Sequence, residues 1–186
     1  MIKQLAFGII SLTLLASPAL GAAPKEKGFF IGGAFGTTEF DDDGAFSWLR
    51  FDDTDTSITL SAGYKFFRYF AVEARYADLG TYTISSGFAR ESFDLSVVSA
   101  HAVGIIPFGQ SGWEIYGQLG LGRIDVECGG CGDETAGSAG LGVRFSPAAQ
   151  FAVGVQIDAY AWEEDDFDRT YDLSVATIQL AFQYLF

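Results

Sequence analysis

The sequence contains few residues of the kinds that carry metal, redox or nucleic-acid chemistry. Its 186 residues include two Cys and one His, so no second cysteine pair exists to complete a tetrahedral zinc site with Cys128 and Cys131. Lys and Arg number 11 against 24 Asp and Glu, which gives a formal net charge of -13. A chain without a basic patch is a poor partner for phosphate backbones. We therefore expect no resident metal, no cofactor and no nucleic-acid partner.

Catalytic and ligand-binding motifs are also missing. The stretch "GQLGLG" at Gly117–Gly122 has its glycines in the wrong order for the dinucleotide fingerprint. No D-x-D-x-D-G run with a downstream Glu is present, which excludes an EF-hand. A Ser-His-Asp hydrolase would have to use His101, the one histidine, which falls in the middle of a predicted strand. We therefore expect no catalytic residues.

Long apolar runs are absent outside the N-terminus. Lys3 precedes the apolar run "LAFGIISLTLLA", and Pro18 with several small residues follows it. This is the pattern of a signal peptide, which we predict over residues 1–22, with a single domain over 23–186. No other stretch of 18 apolar residues occurs, so we expect no transmembrane helix.

The sequence does contain many aromatic and apolar residues, at 16% and 49% of the chain, beside its strong acidity. Such a combination indicates that apolar and charged side chains occupy separate surfaces. The last twelve residues, "VATIQLAFQYLF", place an apolar residue at every second position. A period of two is typical of a β-strand with two unlike faces.

Similar alternation recurs along the chain and predicts eight strands. They cover residues 28–37, 56–66, 70–79, 92–106, 113–122, 136–145, 151–162 and the terminal stretch. The connections between them alternate in length: 67–69, 107–112 and 146–150 are short, whereas 38–55, 80–91, 123–135 and 163–171 are long. Strands of about 9–11 residues with short turns at one end and long loops at the other are typical of an outer-membrane barrel.

The two faces of the strands differ in bulk, and this predicts their orientation. One face carries Phe, Leu, Ile and Val, whereas the other carries Gly, Ala, Ser, Thr, Gln and a few charges. Eight strands enclose only enough room for side chains to fill, so the bulky face must point outward into lipid. We predict an all-β, eight-stranded antiparallel up-and-down transmembrane β-barrel. A soluble lipocalin-like barrel is the alternative, and the segment 92–106 fits either phase, which leaves the direction of His101 open.

Several large aromatic residues fall on the outward face beside the short turns and the chain termini. They predict an aromatic girdle at one membrane interface: Phe29, Phe66, Phe70, Trp113, Phe145, Phe151, Tyr184 and Phe186.

The predicted inward face carries three cations and three carboxylates. They are Lys65, Arg75, Arg144, Glu73, Glu114 and Asp158. Unpaired charges in so narrow a space would be costly, so we expect an internal salt-bridge network. A gated ion path is the functional alternative.

Four stretches make the sequence resemble the OmpA-type eight-stranded outer-membrane barrels, which include small opacity-like surface proteins. They are "GFFIGGAFGTTEF", "GYKFFRYFAVEARYADLGTY", "AGLGVRFSPAAQFAVGVQIDAYAW" and "LAFQYLF". The resemblance implies a location in the cell outer membrane. It also implies that Leu180, Phe182, Tyr184 and Phe186 form an assembly signal for the barrel-assembly machinery.

Two of the predicted loops are strongly acidic, namely "EFDDDGAFSWLRFDDTD" and "EEDDFDR". They are either solvated surface or weak sites for Ca²⁺ or Mg²⁺ that bridge lipopolysaccharide phosphates, because hard cations take carboxylate oxygens. The candidate ligands are Asp41, Asp42, Asp43, Asp165 and Asp166.

The two cysteines, Cys128 and Cys131, fall in the third long loop. Export to an oxidising compartment predicts a local disulfide between them. A redox-active pair and half of a metal site are the alternatives.

These observations together favour a non-enzymatic outer-membrane protein that supports membrane integrity or contacts an external ligand. A narrow channel for ions or small solutes is the first alternative. A lipid-modifying outer-membrane enzyme is the second.

Overall fold

The structure is a computed structural model, and it describes residues 24–41, 50–52, 54–86, 89–127, 133–166 and 169–186. These residues form nine strands: β1 (Gly28–Asp41), β2 (Arg50–Asp52), β3 (Thr54–Phe67), β4 (Phe70–Ser86), β5 (Ala89–Pro107), β6 (Trp113–Glu127), β7 (Asp133–Ala148), β8 (Phe151–Asp166) and β9 (Arg169–Leu185). No helix in this described part of the chain combines the length and the apolar content that crossing a membrane requires.

Eight of the strands close into a barrel. Each long strand pairs antiparallel with the next one along the chain, and β1 pairs with β9 to complete the ring. The short β2 pairs only with the far end of β4, through Arg50–Asp52. A closed ring pairs its backbone groups internally, which a lipid environment requires. The predicted eight-stranded antiparallel barrel is confirmed.

The side chains alternate between lipid and lumen as the bulk of the two faces predicts. Phe29 is 68% exposed on the outer surface, whereas its neighbour Phe30 is 4% exposed and points inward. On β6, Leu119 and Leu121 face outward while Gln118 is buried in the lumen. The same alternation settles the segment 92–106, where the odd-numbered residues from Leu95 to Ile105 are buried and His101 therefore faces the lumen.

Aromatic side chains line the outer surface at the end with the short turns, which we term the turn end. Tyr64 packs against Phe66 at 5.0 Å between ring centroids, and Trp113 packs against Phe145 at the same separation. Tyr184 and Phe186 form a third pair at 5.0 Å. Such a belt marks the level of a membrane interface, as the sequence predicts.

The small and polar inward face that the sequence predicts does not extend to the opposite end of the barrel, which we term the loop end. Eleven inward-facing apolar residues pack together there and form what we call the apolar plug: Ala77, Leu79, Tyr82, Leu95, Val97, Ile124, Ala136, Tyr160, Trp162, Leu173 and Val175. A smaller cluster lies nearer the turn end and contains Phe30, Ala71, Val103, Ile105, Tyr116 and Leu185. The lumen therefore contains apolar clusters at two levels as well as polar residues.

The predicted extents of the long loops are also wrong, because the strands continue well past their predicted ends and into these segments. β4 and β5 pair as far as Ser86 and Ala89, and β8 and β9 as far as Asp166 and Arg169. A bulge at Asp78–Gly80 interrupts the ladder, and Gly80 adopts a φ of +96° there, which suits glycine. The bulge shifts the phase of β4, so Leu79 and Tyr82 both face inward. This inward burial lets the extended strands pack an apolar face inside the barrel.

Replacing Tyr82 with Ala should destabilise the barrel strongly. The ring is fully buried in the apolar plug, and its hydroxyl oxygen lies 2.9 Å from Thr38 Oγ1 and 3.1 Å from the Leu79 carbonyl oxygen. Loss of a buried aromatic ring costs about 3–5 kcal/mol. Tyr82→Phe keeps the ring, removes only the hydroxyl contacts, and should cost about 1 kcal/mol. Urea unfolding in detergent measures both variants, and equal losses would contradict this assignment of the ring.

Candidate functional site: the charged lumen

The six charged residues that the sequence predicts for the lumen all occupy inward positions of the barrel wall. Lys65 lies on β3, Glu73 and Arg75 on β4, Glu114 on β6, Arg144 on β7 and Asp158 on β8. The structure does not join them into one network. It divides them into two separate triads, and neither triad is electrically balanced.

The first triad lies toward the turn end and carries a net charge of +1. Glu114 is shared by two cations: Lys65 Nζ lies 3.0 Å from Glu114 Oε1, and Arg144 Nε lies 2.7 Å from Glu114 Oε2. Arg144 Nη1 also donates to Gln183 Oε1 at 2.8 Å. The side chains of Lys65, Glu114 and Arg144 are 5%, 3% and 12% exposed, so water screens them poorly.

The second triad lies deeper in the barrel and carries a net charge of -1. Here Arg75 is shared by two carboxylates: its Nη2 lies 2.5 Å from Glu73 Oε1, and its Nη1 lies 3.1 Å from Asp158 Oδ2. Gln118 joins the group by accepting a hydrogen bond from Arg75 Nη2 at 3.0 Å and donating one to Asp158. Both carboxylates therefore depend on one guanidinium.

Tyr116 contacts the first triad and is hydrogen-bonded through Gln156 to Asp158 of the second. Arg144 of the first triad stacks over the Tyr116 ring, with 5.0 Å between the guanidinium carbon and the ring centroid. The Tyr116 hydroxyl donates to Gln156 Oε1 at 3.0 Å. The ring fits because Gly142 stands beside it: a Cβ at that position would come within 2.3 Å of the ring. A cation–π contact of this kind stabilises the guanidinium on the aromatic face.

A layer of amides and hydroxyls continues the hydrogen bonding across the barrel, and sequence reasoning did not single it out. Gln156 Nε2 donates to Asp158 Oδ2 at 2.8 Å and lies 3.0 Å from Gln179 Oε1. Gln179 Nε2 reaches Ser57 Oγ and Thr59 Oγ1, both at 2.9 Å. The sequence feature that indicates this layer is the presence of glutamines at inward positions of the adjacent strands β8 and β9. The layer provides partners for polar groups that would otherwise be buried without any.

Little space remains in the lumen. A cavity of about 40 Å³ lies between the two triads and is lined by Lys65, Arg75, Arg144 and Gln118 among others. A second cavity, of about 20 Å³, lies at the turn-end mouth beside Pro24 and Glu114. Such volumes hold a few water molecules or a small ion, and they are far below the volume of a typical ligand pocket.

His101 does not lie in a catalytic arrangement. Its Nε2 lies 2.8 Å from Ser99 Oγ, while its Nδ1 has no hydrogen-bond partner among the described residues. Glu73, its cross-strand neighbour, is engaged by Arg75. A hydrolytic triad needs a carboxylate at the second ring nitrogen and a reachable nucleophile, and this buried dyad has neither.

The other predicted site residues fall at the edges of the described structure or outside it. Asp42, Asp43, Cys128 and Cys131 lie outside the described residues, so the cation and disulfide predictions stay predictions there. Asp41 ends β1, and Asp165 and Asp166 end β8. Within the described ranges, no group of three His, Cys, Asp or Glu side chains is placed to hold a metal ion.

The four residues of the predicted assembly signal occupy the last strand. Leu180, Phe182 and Tyr184 lie on β9, and Phe186 follows it. All four side chains are exposed on the outer surface of the barrel. This is the surface that would meet lipid or an insertion machinery.

Comparisons with known proteins agree with this geometry. Residues 7–186 match the family described as "Outer membrane protein beta-barrel domain". A comparison with curated protein sequences finds no match. Among solved structures, Neisserial surface protein A superposes with a TM-score of 0.63 at 15% identity, covering 87% of this chain and 99% of that one.

Two further solved structures share the fold. OprG from Pseudomonas aeruginosa gives a TM-score of 0.61 at 15% identity, covering 89% of this chain and 99% of that one. Ail, the attachment invasion locus protein of Yersinia pestis, solved in complex with the heparin analogue sucrose octasulfate, gives 0.53 at 19% identity, with 87% and 100% covered. Identities this low establish the shared barrel and nothing finer.

The division into two triads predicts unequal effects of mutating their members. Arg75→Met leaves Glu73 and Asp158 buried without a cation and should cost about 3–5 kcal/mol. Glu73→Gln leaves a neutral Arg75–Asp158 pair and should cost about 1 kcal/mol or less. Urea unfolding of the folded barrel in detergent compares the two. Equal costs would show that the six charges act as one balanced network.

Proposed function

The chain belongs to the outer membrane protein β-barrel domain family, and on that basis we propose that it is a non-conducting, non-enzymatic barrel of the cell outer membrane. In this proposal it supports membrane integrity and presents its loop end to the exterior for surface interaction. The observation that carries the proposal is the filled lumen. The apolar plug occupies the loop end, and the two triads with their glutamine layer occupy the rest.

The filled lumen supports this function because an ion crossing the barrel would meet two barriers in series. It would have to displace Tyr82, Tyr160 and Trp162, which are almost fully buried in the apolar plug. It would also have to part ion pairs at 2.5–3.1 Å in a space with little water. Eight-stranded barrels are only wide enough for side chains to fill.

The surface of the loop end supports a choice among external partners. The exposed side chains described there include the acidic Glu39, Asp78, Asp94 and Asp125. Ail was solved with a heparin analogue, but an acidic rim repels such a polyanion. We therefore propose partners that carry cationic groups, or anionic lipopolysaccharide phosphates bridged by Ca²⁺ or Mg²⁺.

The same proposal includes the steps of biogenesis. Residues 1–22 would be removed as a signal peptide on export, and Cys128 and Cys131 would then form a disulfide in the oxidising compartment. The barrel-assembly machinery would read the terminal strand through Leu180, Phe182, Tyr184 and Phe186. Outer-membrane lipid would then cover the bulky outer face.

Purified protein in planar bilayers should show no steady conductance, because both lumen barriers are intact. The double variant Tyr82→Ala/Trp162→Ala removes two of the three aromatic side chains from the apolar plug and should admit detectable ion leak. Leu119→Ala/Leu121→Ala, on the lipid face, is the matched control and should remain silent. A large steady conductance from the unmodified protein would favour the channel alternative instead.

Calcium should bind weakly to the folded protein through its acidic loop end. Isothermal calorimetry with protein in detergent should show heat at about millimolar Ca²⁺. Replacement of Asp42, Asp43, Asp165 and Asp166 by Asn should remove it, whereas Asn at Asp125 alone should leave it largely intact. Absence of any calcium heat in the unmodified protein would reject the bridging role and leave the filled lumen untouched.

A further inference from the structure

We propose that the turn-end triad of Lys65, Glu114 and Arg144 is a binding site for one small monovalent inorganic anion of the halide class. The inference goes beyond the proposed function, since it concerns a ligand held inside the barrel. It rests on a count of charges, on the donors that the triad leaves over, and on the space beside them.

The charge count favours an anion. Two cations share the single carboxylate of Glu114, at 3.0 Å from Lys65 Nζ and 2.7 Å from Arg144 Nε. The opposite charge, on Glu73 and Asp158, is held by Arg75, which lies with Glu73 at the inner cavity and not at the mouth cavity. One net positive charge therefore stays beside the mouth cavity in poorly hydrated surroundings, where an uncompensated charge is costly. A single negative charge neutralises it.

Hydrogen-bond donors remain for such an anion. An ammonium group carries three N–H donors and a guanidinium five. Within the described residues, Lys65 Nζ uses one donor on Glu114. Arg144 uses its Nε on Glu114 and its Nη1 on Gln183. Two ammonium hydrogens and the second terminal nitrogen of the guanidinium are left to bind an acceptor.

The space suits a small anion and excludes larger ones. Lys65 and Arg144 line the cavity of about 20 Å³ at the mouth, where we place the anion, and also the cavity of about 40 Å³ further in, which Glu73 and Arg75 line as well. A volume that holds one or a few water molecules admits a halide but has no room for an organic acid. A divalent oxyanion would also overcompensate the single net charge.

The route to the site leads from the turn end. Pro24 lies at the mouth beside the triad, where the segment before β1 is held by a hydrogen bond of 3.1 Å from the Lys25 amide to the Ala149 carbonyl. The loop end is closed by the apolar plug. An anion entering past Pro24 therefore reaches a closed end, so the site can bind an ion without conducting it.

Crystals of the refolded barrel in bromide test the proposal through anomalous scattering. The unmodified protein should show one bromide peak within hydrogen-bonding distance of Lys65 Nζ and Arg144. Lys65→Met leaves a neutral Glu114–Arg144 pair, so this variant should fold, as heat-modifiability on unboiled gels would verify, and should lose the peak. Glu73→Gln, in the other triad, is the matched control and should keep it. Ordered water only in the unmodified protein, or a peak that persists in Lys65→Met, would overturn the proposal.

A solution measurement gives an independent test. The midpoint of thermal unfolding of the unmodified protein should be about 3 °C higher in chloride than in gluconate at equal ionic strength. A ligand that binds only the folded state stabilises it. The shift should fall below about 1 °C in Lys65→Met and stay unchanged in Glu73→Gln. Equal shifts in all three proteins would indicate general salt effects and would also overturn the proposal.

Discussion

The structure depends on one constraint: a polar group that points into an eight-stranded barrel can take its partners only from the few side chains that fill the narrow lumen. The closed ring satisfies the backbone, and the bulky side chains face outward. What remains inside has little water available to it. The lumen accordingly shows shared carboxylates, a shared guanidinium and a layer of amides that hydrogen-bond to one another. At the loop end the lumen is filled by the apolar plug instead.

The same constraint explains why the ion pairs form triads rather than simple pairs. Glu114 meets Arg144 across a β6–β7 pair in register, but Lys65 reaches it from β3, across the lumen. Arg75 and Glu73 lie two residues apart on β4, and Asp158 comes from β8 on the far wall. Each triad thus ties together strands that are not neighbours in the sheet, which holds opposite walls at a defined separation. The local charge imbalance follows from these cross-lumen contacts.

Much of the fold was predictable because alternation with period two is a strong signal when the two faces differ in bulk. It located the strands and the six inward charges, and in β8 the outward Val155 contrasts clearly with the inward Gln156. The signal failed where both faces are apolar, as in β5 around Val97 and Val98. It also failed at the bulge of Gly80, where the phase changes. The separation into triads could not be read from one strand at a time, since it depends on which walls face each other.

The central claim is that a packed interior lies behind a lipid-facing apolar surface, and nitroxide scanning along β8 in lipid bilayers tests it most directly. Labels placed one at a time on residues 153–160 should respond to lipid-soluble oxygen with a period of two. The maxima should fall on Val153, Val155, Ile157 and Ala159, with immobile, inaccessible labels at the positions between them. Maxima at Gln156 and Asp158, or an accessibility that does not alternate, would contradict the account.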